Sequence, residues 1–195
     1  MIYDISQELL SCTVYPGDPK PTLTPLKRME DGELYNLSAF SMCAHNGTHI
    51  DAPAHFLADG KTVEQLGLSA CVGRCYVVHH GGFLSEAEAE GILADARVLG
   101  CHERILLADE CTVTLGAAEV FAHGGVRLVG VDTQSVGPAD APMAVHKCLL
   151  GAEVVLLEGL VLSHVSGGCY TLCAAPLNIA GCEGAPCRAV LIGEA

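Results

Sequence analysis

Val126-Arg127-Leu128-Val129-Gly130-Val131 (VRLVGV) is short, apolar and β-branched, the composition of a strand covered on both faces. Upstream of it, Thr114 stands where an N-cap belongs, before a helix that Gly124 should end. Farther back, Arg104 to Ala108 has the same strand character. Ser85-Glu86-Ala87-Glu88 has the spacing of a capping box opening a helix to about Ala96. Arg74 to His79 (RCYVVH) reads as another buried strand. Downstream, Pro142 suits the first turn of a short helix that Gly151 terminates, and Glu153 to Leu157 (EVVLL) follows as a strand. Strand and helix alternate throughout this region, which predicts an α/β domain with a partly parallel, mixed sheet.

The first third has a different rhythm. Ile2 to Ile5 and Asn36 to Cys43 carry short alternating patterns, so a β-rich N-terminal part is expected to join the α/β body. Residues 16–25 (PGDPKPTLTP) hold four prolines and are expected to form an extended loop. Tyr170 to Cys173 and Arg188 to Ile192 should be late strands.

With 195 residues, half of them hydrophobic and only 17% charged, the chain suits one domain spanning 1–195 around a sizeable core. Its 23 acidic and 10 basic side chains give a net charge of −13. Such a field repels phosphate backbones and anionic lipid, which argues against nucleic-acid and membrane partners. No apolar run is long enough to span a bilayer. The stretch Met1 to Leu10 holds Asp4, Glu8 and no basic residue, unlike a signal peptide, so a cytoplasmic protein is expected. The 11 cysteines are scattered, mostly within apolar runs, and are expected to be reduced thiols used as small core residues. Neither Cys71/Cys75 nor Cys169/Cys173 has the two-residue gap of a zinc knuckle or redox motif.

Chemistry concentrates in His45-Asn46-Gly47-Thr48-His49-Ile50-Asp51-Ala52-Pro53-Ala54-His55-Phe56. His45, His49, Asp51 and His55 are odd-numbered, whereas Ile50, Ala52, Ala54 and Phe56 are even-numbered and apolar. An extended chain would place the four polar groups on one side and the apolar set toward the core. Gly47 and Pro53 both oppose a helix here. Imidazole and carboxylate together suit Zn²⁺, with Mn²⁺ or Fe²⁺ as substitutes. The plainer alternative is histidines that are merely hydrogen-bonded on a strand edge.

This motif, H-x-G-T-H-x-D-x-P-x-H, resembles that of the putative cyclase family, which includes bacterial kynurenine formamidase and isatin hydrolase. The resemblance extends to Tyr15-Pro16-Gly17-Asp18, to Gly125 through Asp132, to Leu157-Glu158-Gly159-Leu160, and to stretches from Ala174 to Leu177 and Pro186 to Leu191. It implies a swivelling β/β/α fold with metal ligands His45, His49 and Asp51, and His55 as the acid/base. It also implies two later ligands twelve positions apart, matched by His146 and Glu158. Taken alone, His146 reads as a partly exposed helix residue, whereas Glu158 already invites a ligand role at the end of an apolar strand.

The implied activity is hydrolysis of an amide, formamide or lactam bond of a small molecule by metal-activated water. Zn²⁺ is the implied cofactor, as one ion or two, with Mn²⁺ as a substitute; Asp51 and Glu158 are the candidate bridges. A metal-dependent cyclase or lyase, or a non-catalytic metal-containing binding protein, are the alternatives. The resemblance also implies a homodimer or higher homo-oligomer. Where kynurenine formamidases of this type carry a tryptophan that stacks on the substrate, this chain has Tyr15 and no Trp at all. N-formylkynurenine therefore stands beside lactams, esters and other cyclic amides as a candidate substrate. Cys43 is expected to be packing. His79 and His80 are expected at a surface turn, and His102, His123 and His164 in structural or exposed roles. Asp132 divides evenly between capping a turn and entering a pocket. No nucleophile elbow or glycine-rich phosphate loop is present.

Overall fold

The computed structural model describes residues 1–193. In chain order its strands are β1 (Ile2–Asp4), β2 (Thr22–Lys27), β3 (Leu37–Ser41), β4 (His49–Asp51), β5 (Val72–His79), β6 (Gly82–Leu84), β7 (Arg104–Ala108), β8 (Cys111–Val113), β9 (Leu128–Val131), β10 (Val155–Glu158), β11 (Gly168–Cys173), β12 (Gly184–Pro186) and β13 (Val190–Ile192). The helices are α1 (Leu68–Cys71), α2 (Glu86–Val98), α3 (Leu115–His123) and α4 (Pro142–Gly151). A nine-stranded mixed sheet runs in the order β1-β13-β11-β5-β7-β9-β10-β4-β12. Its middle strands β5, β7, β9 and β10 are parallel, because α2, α3 and α4 each carry the chain back between neighbours. The flanking strands pair antiparallel.

The pleat of the parallel strands divides the core in two. Ile105, Leu107 and Leu156 face the helices and pack with Phe121, Leu93 and Leu149. Leu106 and Leu157, one residue out of phase, face the other way and pack with Ile5, Ile50 and Leu172. Every residue of β7, β9 and β10 is buried, which explains their nearly unbroken apolar runs.

The helix-start signals hold, whereas Arg74 to His79, expected as a buried strand, buries only Cys75 and Val77. Ser85 Oγ accepts from Glu88 N–H at 3.4 Å while Glu88 Oε2 accepts from Ser85 N–H at 2.9 Å, closing the capping box of α2. Thr114 Oγ1 accepts from Ala117 N–H at the start of α3, and Pro142 opens α4. Among the described residues no helix is long and apolar enough to cross a membrane.

Two expectations are corrected. The proline-rich stretch is not loop to its end: β2 starts at Thr22 and runs through Pro25. Among the described residues it pairs only with β3, and the register shifts between Pro25 and Lys27. A proline without an N–H is tolerated at such an irregular edge. The cysteines are not uniformly reduced either, since Cys101 and Cys169 form a disulfide across 68 residues of sequence. They lie beside β7 and on β11, the two neighbours of β5, a proximity that no local spacing reveals.

Candidate active site

The site is organised around β4, a three-residue strand held between β10 and β12. The pleat sends Ile50 into the core and His49 and Asp51 to the opposite face. In the antiparallel register Glu158 pairs with His49, so the last residue of β10 meets the first residue of β4 on the same face.

The expected single extended stretch from 45 to 55 does not form. His45 comes from a turn closed by Asn46, whose Oδ1 accepts from Cys43 N–H at 2.8 Å, and Gly47 lets the chain reverse with φ of 63°. His55 comes from a 3₁₀ turn, Pro53–His55, opened by the proline. Pleat parity thus accounts for His49 and Asp51, and two turns bring in the other side chains. Of the even-numbered set, Ile50 and Ala52 are core residues, whereas Phe56 lines the site.

His146 enters from α4. It is 3% exposed, which corrects the reading of a partly exposed helix residue. The five predicted donors form two triads that share Asp51: His45, His49 and Asp51, and Asp51, His146 and Glu158. His45 Nδ1 lies 2.7 Å from Asp51 Oδ1, and His49 Nε2 lies 3.4 Å from the same oxygen. His146 Nε2 is 3.8 Å from Asp51 Oδ2 and 3.3 Å from Glu158 Oε1. His49 Nε2 is 3.6 Å from Glu158 Oε2. Outer partners fix two of the rings, with Gly47 O at 2.9 Å from His49 Nδ1 and Pro142 O at 2.8 Å from His146 Nδ1. Val136 N–H donates to Glu158 Oε1 at 2.8 Å.

This donor set fits a divalent cation. Asp51 is fully buried, yet among the described residues its Oδ2 has no hydrogen-bond partner, an arrangement that costs free energy unless another group meets that oxygen. Burial disfavours the charged imidazoles, but the adjoining carboxylates outweigh it and raise His45, His49 and His146 above their ordinary value. Burial likewise opposes ionisation of Asp51, and the bonds from His45 and His49 overcome it, holding the carboxyl well below its usual range. The cradle is biased toward positive charge.

His55 differs from its neighbours. Its Nε2 is 4.0 Å from Asp51 Oδ2, its ring stacks on His45 at 4.1 Å, and burial lowers its pKa. The cluster opens into a cavity of about 300 Å³ whose walls include Tyr15, Asp18, Cys43, Phe56, Gln134 and Pro142. Cys43 is therefore a wall residue and not packing; its Sγ is 3.8 Å from Asp18 Oδ2. Gln134 follows β9 at the carboxyl edge of the parallel strands, a position that marks such walls even without a motif. Glu183 was not signalled by any pattern, and its Oε1 lies 3.3 Å from His45 Nε2.

Asp132 caps a turn: its carboxylate accepts from the N–H groups of Asp109 and Glu110, both at positive φ. His79 bonds Asp109 and Val165 O, and His80 faces Glu88, both outside the cavity.

Gly159 explains the residue after Glu158. It has φ of 69°, and a Cβ there would stand 2.3 Å from Gly47 O. The close approach packs the turn before His49 directly against the end of β10. Gly159→Ala is expected to cost at least about 2 kcal/mol, from the left-handed backbone and the clash together, as measured by urea unfolding.

An α/β sheet that gathers three imidazoles and two carboxylates at one cavity defines a protein built around a candidate cation centre. Residues 3–138 match the family model described as putative cyclase, and the chain belongs to that family. It is 33% identical over 204 residues to the kynurenine formamidase of Erythrobacter litoralis (strain HTCC2594), covering 97% of this chain and 93% of that protein. The solved structure of a predicted metal-dependent hydrolase from Bacillus stearothermophilus superposes with a TM-score of 0.78 at 27% identity, covering 98% of this chain and 97% of that one. An isatin hydrolase bound to the product analogue thioisatinate shares the fold, with a TM-score of 0.84 at 19% identity and coverage of 99% and 92%.

Proposed function

We propose that this chain is an arylformamidase-like, metal-dependent hydrolase that opens an amide, formamide or lactam C–N bond of a small aromatic molecule. The observation that carries this reading is the pair of donor triads sharing Asp51 at a cavity also lined by His55. The kynurenine formamidase relative supports the bond type.

In this reading His45, His49 and Asp51 hold one divalent ion, and Asp51, His146 and Glu158 hold a second. Zn²⁺ is the preferred ion and Mn²⁺ its substitute. When bound, such ions supply Lewis acidity toward a carbonyl oxygen and acidify water. Backbone carbonyls on the Nδ1 atoms of His49 and His146 present both Nε2 atoms inward. Phe56 packs against the rings of His55 and His146, each at 4.5 Å, and excludes water from that side. His55 Nε2 takes a proton from the attacking water and returns it to the leaving nitrogen. Tyr15 offers a ring face for an aromatic substrate, with its hydroxyl changing the polarity of the wall relative to tryptophan.

Purified protein assayed on formanilides, lactams and aryl esters should hydrolyse one of the first two classes when loaded with Zn²⁺ or Mn²⁺. Dialysis against a chelator should lower that rate at least about a hundredfold, and either ion should restore it. Undiminished turnover in chelator would falsify the metal-dependent reading.

We also propose that the chain works as a homodimer or larger homo-oligomer. Among the described residues the β2–β3 hairpin pairs with no other strand, and Leu23, Leu26, Leu34, Tyr35 and Phe40 are exposed in or beside it. A lone hairpin is marginal in water, and apolar clusters of this kind mark contact surfaces. Light scattering should report a multiple of 20.3 kDa. The double change Leu34→Asp, Phe40→Asp should shift it to the monomer mass, and a monomeric wild type would refute the idea.

A further inference from the structure

Glu183 and Gly184 lie outside the histidine motif, on the segment that closes the back of the cluster. Gly184 pairs with Asp51 in the ladder between β12 and β4. Ala52 N–H donates to Glu183 O at 2.9 Å, and Val63 N–H donates to Cys182 O at 2.8 Å. The backbone around the glutamate is therefore tied to the strand that carries Asp51 and to the later 3₁₀ turn Val63–Gln65.

The His45 ring lies over Gly184. A Cβ at that position would stand 2.6 Å from Cε1 and 2.9 Å from Nε2, so only glycine leaves the ring its place. The ring also stacks on His55, interplanar angle 28°. At one edge Nδ1 meets Asp51 Oδ1 at 2.7 Å, and at the other Nε2 meets Glu183 Oε1 at 3.3 Å.

The three imidazoles of the cluster differ in what holds them from outside. His49 and His146 each set Nδ1 against a backbone carbonyl. His45 alone among these three has a carboxylate at its outer nitrogen. A carboxylate in that position fixes the tautomer, orients the ring and strengthens the inner nitrogen as a donor.

We propose that Glu183 is a positioning residue for His45. It accepts the Nε2–H, which leaves the Nδ1 lone pair directed at the seat formed with His49 and Asp51, and Gly184 is the bare floor beneath the ring. The inference rests on the reading that the cluster binds divalent cations. It makes the two seats unequal, because among the described residues Glu183 pairs with His45 of one seat and forms no hydrogen bond or ion pair with His146 or Glu158 of the other.

The test is competition for Zn²⁺ between the full chain and a chromophoric chelator. Glu183→Ala should weaken one seat about 10–100-fold while the other stays within about twofold, and Glu183→Gln, which keeps an acceptor oxygen, should fall between Ala and wild type. His146→Ala identifies the other seat, and in that background Glu183→Ala should weaken the ion that is left. The thermal midpoint of the metal-free Glu183 variants should match wild type, which separates positioning from a loss of fold. Wild type that binds no Zn²⁺ defeats the underlying cation reading. Wild type that binds Zn²⁺, together with Glu183→Ala of unchanged affinity at both seats, overturns the role of Glu183 alone.

Discussion

Asp51→Asn is expected to lower turnover at least about a thousandfold and to strip the protein of bound divalent metal. Asp51 is the donor common to both triads, so a single substitution removes a negative charge from each. The side chain is fully buried and cannot be replaced by solvent. Its Oδ1 faces His45 and His49, while Oδ2 faces His146 and His55. An amide nitrogen on either side would present hydrogens where an electron pair is needed. Several kcal/mol of charge stabilisation depend on the ion, and about 1.4 kcal/mol is a factor of ten. Elemental analysis alongside the rate measurement checks both halves; an Asn variant carrying the wild-type metal complement would sink the assignment.

The same substitution should alter how the metal-free protein responds to pH. Carboxylates raise the folded-state pKa of His49 well above 6.5, against the opposing effect of burial. A raised histidine contributes stability that is fully present below the unfolded value and is lost as pH rises through the folded value. Asp51→Asn should therefore flatten the decline in stability of the metal-free protein above pH 6.5, as followed by urea midpoints.

His55→Ala is expected to lower turnover by about 10²–10⁴-fold while metal content persists. His55 belongs to neither donor triad, and burial holds its ring below the ordinary value of 6.5, the direction that favours the neutral imidazole the proposed proton transfer needs. In the wild type kcat/KM should fall as pH drops through that lowered value, and the Ala variant should lose this limb. Simultaneous loss of metal would instead make His55 a ligand.

What the sequence disclosed was local. Helices α2 and α3 announce themselves through Ser85, Glu88 and Thr114, whose side chains bond to backbone within three residues. Strands β7, β9 and β10 show as apolar runs because both faces are covered, whereas β5, expected as a buried strand, buries only Cys75 and Val77. The five side chains that converge in the two triads were marked by motif resemblance, and pleat parity correctly joined His49 to Asp51. Parity failed for His45 and His55, because Gly47 and Pro53 turn the chain within two residues of either end of β4. Glu183, Gln134 and the Cys101–Cys169 bond stayed hidden for a common reason. Each depends on which strands become neighbours, and a lone glutamate, glutamine or cysteine carries no trace of that in its immediate surroundings.

The position of β4, antiparallel between β10 and β12, bears on the order of events as the chain is made. When a ribosome has released the first hundred residues, only one half of the shared cradle has been synthesised, and the strands that clasp it do not yet exist. His146 and Glu158 arrive much later, and the edge strand ending at Pro186 later still. In the proposed reading the seat containing His146 and Glu158 is completed only after Glu158 has been made, and a cation held there would tie that later segment to the one carrying Asp51.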